Sequence, residues 1–73
     1  MTQQLETLRR LIGESLMIPA DSIGADDEIG QLKNIDSMSF EMILVAIENE
    51  TGKAIEPTDL MQVRTVGDLA ALL

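Results

Sequence analysis

The sequence predicts an all-α fold, a four-helix bundle with three longer helices, a short third one and a long loop between the first two. Three observations point there. Apolar residues recur at three-and-four spacing in two separate stretches, Pro and Gly punctuate the chain where those stretches end, and no segment alternates with period two. At 73 residues the chain has room for one small domain, taken as residues 1–73. A fold of this size buries only about 60% of the surface its open chain exposes, so its margin of stability is a few kcal/mol.

From Gln3 to Leu16, Leu5, Leu8, Leu11, Ile12 and Leu16 take one side and Glu6, Arg9, Arg10 and Glu14 the other, which makes an amphipathic first helix. Pro19 blocks its continuation. Met17 to Ile35 then reads as a long connection whose isolated apolar residues Ile23, Ile29 and Leu32 pin it onto the helices. Its acids do not make a calcium loop: counted from Asp21, the positions that should carry oxygen ligands carry Ile23 and Ala25. The second helix is predicted from about Ser37 to Glu50, with Asp36 as N-cap and Gly52 as the left-handed stop. Pro57, Thr58 and Asp59 open a third helix of one or two turns through Leu60, Met61 and Val63. Thr65 caps a last helix reaching Leu73, with Asp68 at the end where the helix dipole favours an acid.

Composition excludes most chemistry. With Cys 0 and His 0 there is no thiol nucleophile, no thiolate or imidazole metal ligand and no base that titrates near neutrality, so neither catalytic nor metal-binding residues are expected. Thirteen acids against five bases give a net charge of -8, which repels nucleic acid and anionic lipid and favours basic protein surfaces. Phe40 is the sole aromatic residue, too little for stacking on bases. The start, Met1 to Gln4, lacks the pattern of a secretory signal, and the longest apolar run, Met42 to Ile47, is too short to span a bilayer. A monomer in the cytoplasm, without membrane insertion, is expected, and Met1 leans toward a stand-alone protein.

Two stripes run along the second helix. Phe40, Ile43, Leu44 and Ile47 follow the core-facing spacing, while Met38, Met42 and Val45 form another line beside Glu41 and Glu48. The second line either widens the core face or remains exposed for partners, a role for which flexible methionine is suited. Ser37 sits in the first turn, where unpaired N–H groups and the dipole favour an attached phosphate. Taken alone, Asp36 and Ser37 are more cheaply explained as a capping pair, so the attachment reading needs outside support. A catalytic serine is the weaker reading, because no His is present to take its proton and no nucleophile elbow surrounds it.

Asn34-Ile35-Asp36-Ser37-Met38 is similar to the Gly-x-Asp-Ser-Leu motif of the acyl carrier and peptidyl carrier superfamily, and the apolar and acidic helix from Phe40 to Glu50 follows it. Arg64-Thr65-Val66-Gly67-Asp68-Leu69 resembles the Thr-Val-Gly-Asp segment that opens the last helix of many acyl carriers, and Leu11 to Leu16 agrees upstream. The resemblance covers nearly the whole chain and implies an acyl-carrier-like bundle. It implies that a phosphopantetheinyl transferase attaches 4'-phosphopantetheine from coenzyme A to Ser37, so that cargo rides as a thioester on a borrowed thiol. It further implies that Asp36 helps the transferase engage the site near its metal ion. Met38, Glu41, Met42, Val45 and Glu48 become, on the same basis, the docking face for basic grooves on the loading enzyme and the downstream synthase enzymes.

The chain departs from the family pattern at four places. Asn34 stands for Gly, Met38 for Leu, Leu32 and Lys33 are displaced by one from the habitual Leu, and Met42 stands where many fatty-acid carriers have Glu. The expected function is an acyl carrier for fatty acid or polyketide assembly. The alternatives are an aminoacyl or peptidyl carrier loaded by an adenylating enzyme and, from another class, an acidic helical adaptor whose Ser37 only caps.

Overall fold

The computed structural model describes residues 2–73; Met1, at the edge of the expected 1–73 domain, lies outside the described residues. Four helices appear in chain order: α1 (Thr2–Leu16), α2 (Ser37–Thr51), α3 (Pro57–Leu60) and α4 (Val66–Ala70). The all-α bundle is as the sequence predicts, but the lengths are 15, 15, 4 and 5 residues, so two helices rather than three are long. The correction falls on α4. Its last turns tighten, with Leu72 N–H donating to Leu69 O at 3.0 Å and Leu73 N–H to Ala70 O at 3.2 Å, a three-residue spacing that ends the α-helical ladder early.

The α1 stripe buries Leu8, Leu11, Ile12 and Leu16, which meet Ile43 and Ile47 of α2 and Val66, Leu69 and Ala70 of α4 in one core. Phe40 and Leu44 lie half-buried at its margin. At the end of α1, Met17 takes a left-handed φ of 59° and Ile18 N–H donates back to Gly13 O at 3.0 Å, a Schellman-type closure. That return brings the chain so close that a Cβ on Gly13 would stand 2.8 Å from the Ile18 carbonyl oxygen. Gly13 is therefore required by a close approach of backbone to backbone.

Ile23, Ile29 and Leu32 are all buried, so the long connection is pinned as its apolar residues predict. Two short 3-10 turns, Ala20–Ser22 and Ile29–Gln31, organise it. Polar ties hold it too: the Arg9 guanidinium donates to Ala20 O at 3.1 and 3.2 Å, and Asn34 Nδ2 donates to Leu16 O at 2.9 Å. Its middle is joined to the start of α4, with Gly67 N–H donating to Ala25 O at 2.8 Å, Val66 N–H to Asp27 O at 2.9 Å and Ile29 N–H to Arg64 O at 3.0 Å. The bonds from Val66 and Gly67 satisfy N–H groups of the first turn of α4 that have no partner within the helix, and those from Val66 to Asp27 and from Ile29 to Arg64 make one antiparallel bridge between Glu28 and Thr65. Thr65 Oγ1 accepts from Asp68 N–H at 3.1 Å while Asp68 Oδ2 accepts from Thr65 N–H at 3.1 Å, the reciprocal cap for which the Thr-x-x-Asp spacing is suited.

Candidate functional site at the start of α2

Chain entry into α2 is fixed residue by residue. Asn34 adopts φ 69°, the left-handed region in which Asn is the best tolerated residue after Gly, so the substitution of Asn for the motif's Gly keeps the turn. Asp36 then extends at φ -154° and caps the helix: its Oδ1 accepts from Ser39 N–H at 2.7 Å, and its own N–H donates to Ser39 Oγ at 2.9 Å. The Ser39 backbone N–H first, and the Ser39 hydroxyl next, hold the Asp36 carboxyl below its ordinary value, because donors beside it favour the charged form. At the far end Gly52, at φ 77°, donates its N–H to Glu48 O at 2.8 Å and stops the helix.

The capping partner of Asp36 is Ser39, not Ser37. Ser37 is the first residue of α2, exposed, and outside the reciprocal pair. Its hydroxyl is thus left to solvent at the positive end of a 15-residue helix, beside first-turn N–H groups that a helix cannot pair internally. The reading of Ser37 as a cap is corrected by this geometry. Sequence reasoning passed over Ser39, although Asp36 and Ser39 have the N-cap and N3 spacing by which a reciprocal box is recognised.

An open trough of about 560 Å³ runs from Ser37 between the long connection and α3. Ile29, Ile35, Phe40, Leu60 and Val63 give it apolar walls, and Arg64 lines it as well. A phosphate on the Ser37 oxygen would stand at the helix end, and a flexible arm would have this trough beside it, so the residues present fit a phosphopantetheine group. Arg64 heads the segment that resembles Thr-Val-Gly-Asp, but its place beside Ser37 is not readable there, because α3 and the segment after it are too short for periodicity to show which side they present.

Along α2 the second stripe faces outward: Met38 is 72% exposed, Met42 55% and Val45 54%, with Glu41 and Glu48 exposed alongside. These residues do not widen the core. Met61, which the sequence groups with the apolar turn of α3, is also exposed, while Leu60 and Val63 pack against the core.

A small helical bundle that presents an unengaged serine at the head of its second long helix is the architecture of a carrier domain. The chain matches the family model described as a phosphopantetheine attachment site over residues 6–73, and it belongs to that family. It is 33% identical to an acyl carrier protein of Kineococcus radiotolerans over 69 residues, covering 94% of this chain and 85% of the relative. It is 28% identical to an acyl carrier protein of Saccharopolyspora erythraea over 67 residues, covering 92% and 70% respectively. Acyl carrier protein MbtL of a Mycobacterium species is 36% identical over 66 residues, covering 90% of this chain and 61% of that one. The cofactor is 4'-phosphopantetheine, and the protein is a carrier rather than a catalyst. Membership of this family displaces the adaptor reading, which had no prosthetic group. Carriers of this kind work with a phosphopantetheinyl transferase and with biosynthetic enzymes. Among the described residues no helix is long and apolar enough to cross a membrane.

Proposed function

We propose that the protein is an acyl carrier whose 4'-phosphopantetheine is linked to Ser37 and which delivers acyl intermediates to enzymes of fatty acid or polyketide assembly in the cytoplasm. The observation that carries this reading is the Ser37 hydroxyl, exposed at the first position of α2 and excluded from the cap by Ser39. When bound, the group supplies the thiol that this chain lacks, and cargo is held on it as a thioester. In attachment, the Ser37 oxygen bonds to phosphorus, the phosphoanhydride of coenzyme A breaks and adenosine bisphosphate leaves. The serine proton goes to a base of the transferase, since the carrier has no His to take it.

Asp36 has a structural task and a recognition task in this reading. Its charge caps α2, and its exposed carboxylate is available to the transferase and its metal ion. Met38, Met42 and Val45 form the apolar centre of a docking face and Glu41 and Glu48 its charged rim, matched to basic grooves on partner enzymes. The charge of -8 speeds such encounters and discourages self-association, which supports a monomer. Acyl cargo is favoured over aminoacyl or peptidyl cargo because the relatives named above are acyl carriers.

The test is intact mass after incubation with coenzyme A, magnesium and a phosphopantetheinyl transferase of broad specificity. The native chain should gain one phosphopantetheine and Ser37→Ala none. Gain on both would move the attachment elsewhere, and gain on neither would remove the reading.

A further inference from the structure

In a chain so acidic, the position of each cation is informative. Of the five basic residues, Arg9 and Arg10 are committed on α1: Arg9 to Ala20 O and Asp21, Arg10 to Glu14 and Glu50. Lys33 lines a separate depression with Met17 and Asp27, and Lys53 is exposed just past Gly52, beyond the far end of α2. Among the described residues, Arg64 is the one cation that lines the trough containing Ser37, and its guanidinium makes no ion pair there.

Its stem is fixed. Arg64 N–H donates to Asp68 Oδ2 at 3.1 Å, and its carbonyl accepts from Ile29 N–H at 3.0 Å. The same Asp68 oxygen also accepts from Thr65 N–H, and the Arg64 charge acts on that carboxylate after the backbone donors, without forming an ion pair with it. The other charges lining the trough are the carboxylates of Glu28 and Asp36, which repel an anion. An anionic group lying along apolar walls needs a compensating partner, and a guanidinium is the side chain best shaped to embrace a phosphate or carboxylate.

The geometry points to Arg64 as the positioning residue that holds an anionic group of the tethered arm in the trough, the group being either the phosphodiester of the arm or a carboxylate at the end of the cargo. This rests on attachment at Ser37. Arg64 would then keep the arm against the body between deliveries and, through a carboxylate, favour dicarboxylic over neutral acyl cargo.

The experiment follows the Arg64 Nε–H resonance by NMR in four forms of the protein: unmodified, free-thiol, butyryl and succinyl, the last two joined through a stable amide. A shift on going to the free-thiol form, together with a phosphorus-31 shift lost in Arg64→Gln, assigns the phosphodiester. A shift on succinyl but not butyryl loading, with a rise in melting temperature that Arg64→Gln abolishes and Lys53→Gln keeps, assigns the carboxylate. An Arg64 signal unchanged across all four forms overturns the inference while leaving attachment intact. Failure of the native chain to gain mass with coenzyme A and the transferase overturns both. The backbone bonds of Arg64 survive in Arg64→Gln, and its unmodified melting temperature checks that the fold is kept.

Discussion

Asp36 and Ser39 cap α2 reciprocally, each accepting the other's backbone N–H, at 2.7 Å to the carboxylate and 2.9 Å to the hydroxyl. The pair separates two tasks that a single Asp-Ser dipeptide would otherwise share, since capping falls to Ser39 and Ser37 is left free for the attachment proposed above. Asn caps about as well as Asp, so Asp36→Asn should change stability by less than about 0.5 kcal/mol, whereas Asp36→Ala should cost about 1 kcal/mol. Both should be modified more slowly by the transferase. Denaturant melts and timed mass spectra check this, and an Asp36→Asn variant modified at the native rate would confine Asp36 to capping.

Acid should destabilise the fold through two carboxylates. Backbone N–H groups, those of Ser39 for Asp36 and of Thr65 for Asp68, lower both below the ordinary value of 3.8. A carboxyl whose folded value is depressed contributes stability that is complete above its unfolded value and is lost as pH falls through the folded one. Melting temperature should therefore lose this contribution below about pH 4, and the double variant Asp36→Asn with Asp68→Asn should fall less steeply there. Parallel decline of the two proteins would assign the acid sensitivity to other groups.

At Gly13 two effects oppose. Alanine is the better helix former by about 1 kcal/mol, but its Cβ would stand 2.8 Å from the Ile18 carbonyl oxygen, which is backbone held by its own hydrogen-bonded return. The clash should win, with Gly13→Ala destabilising by about 1–3 kcal/mol. At Gly30 an added methyl would meet nothing within 4 Å, so Gly30→Ala is the control and should be close to neutral. Urea unfolding of both variants gives the comparison.

Neighbouring residues of α2 should behave in opposite ways. Ile43 is fully buried, and Ile43→Ala should cost about 2–5 kcal/mol, enough to unfold much of so small a domain. Met42, over half exposed, should lose less than about 0.5 kcal/mol as alanine. Charge reversal at Glu41 and Glu48 should likewise spare the fold and slow partner enzymes, more so at low salt. If circular dichroism melts drop for Met42→Ala or the reversals, that side of α2 is structural.

Much of this was legible in the residues. The stripe from Leu5 to Leu16 gave α1, and Asp36 and Gly52 marked the limits of α2 to within a residue. Ile23, Ile29 and Leu32 betrayed a pinned connection because isolated apolar residues in a polar loop have little other use. What escaped reading was set by backbone rather than by pattern. The bonds from residues 64–67 to Ala25, Asp27 and Ile29 involve main-chain groups common to every residue type, and the early tightening after Ala70 leaves no compositional mark. At the site, Ser37 is singled out by its motif and its exposure agrees with that, while the box with Ser39 and the placement of Arg64 required coordinates.

The joining of the long connection to the head of α4 has a consequence for anyone cutting or splicing this protein. Removing the chain after Val63 would discard more than a five-residue helix: it would take away the carbonyl that receives Ile29 and the two donors that fasten Ala25 and Asp27. The segment leading to Ser37 would then come loose, although it lies far from the cut in sequence. Connection and tail are a single mechanical part, to be transplanted whole or left alone.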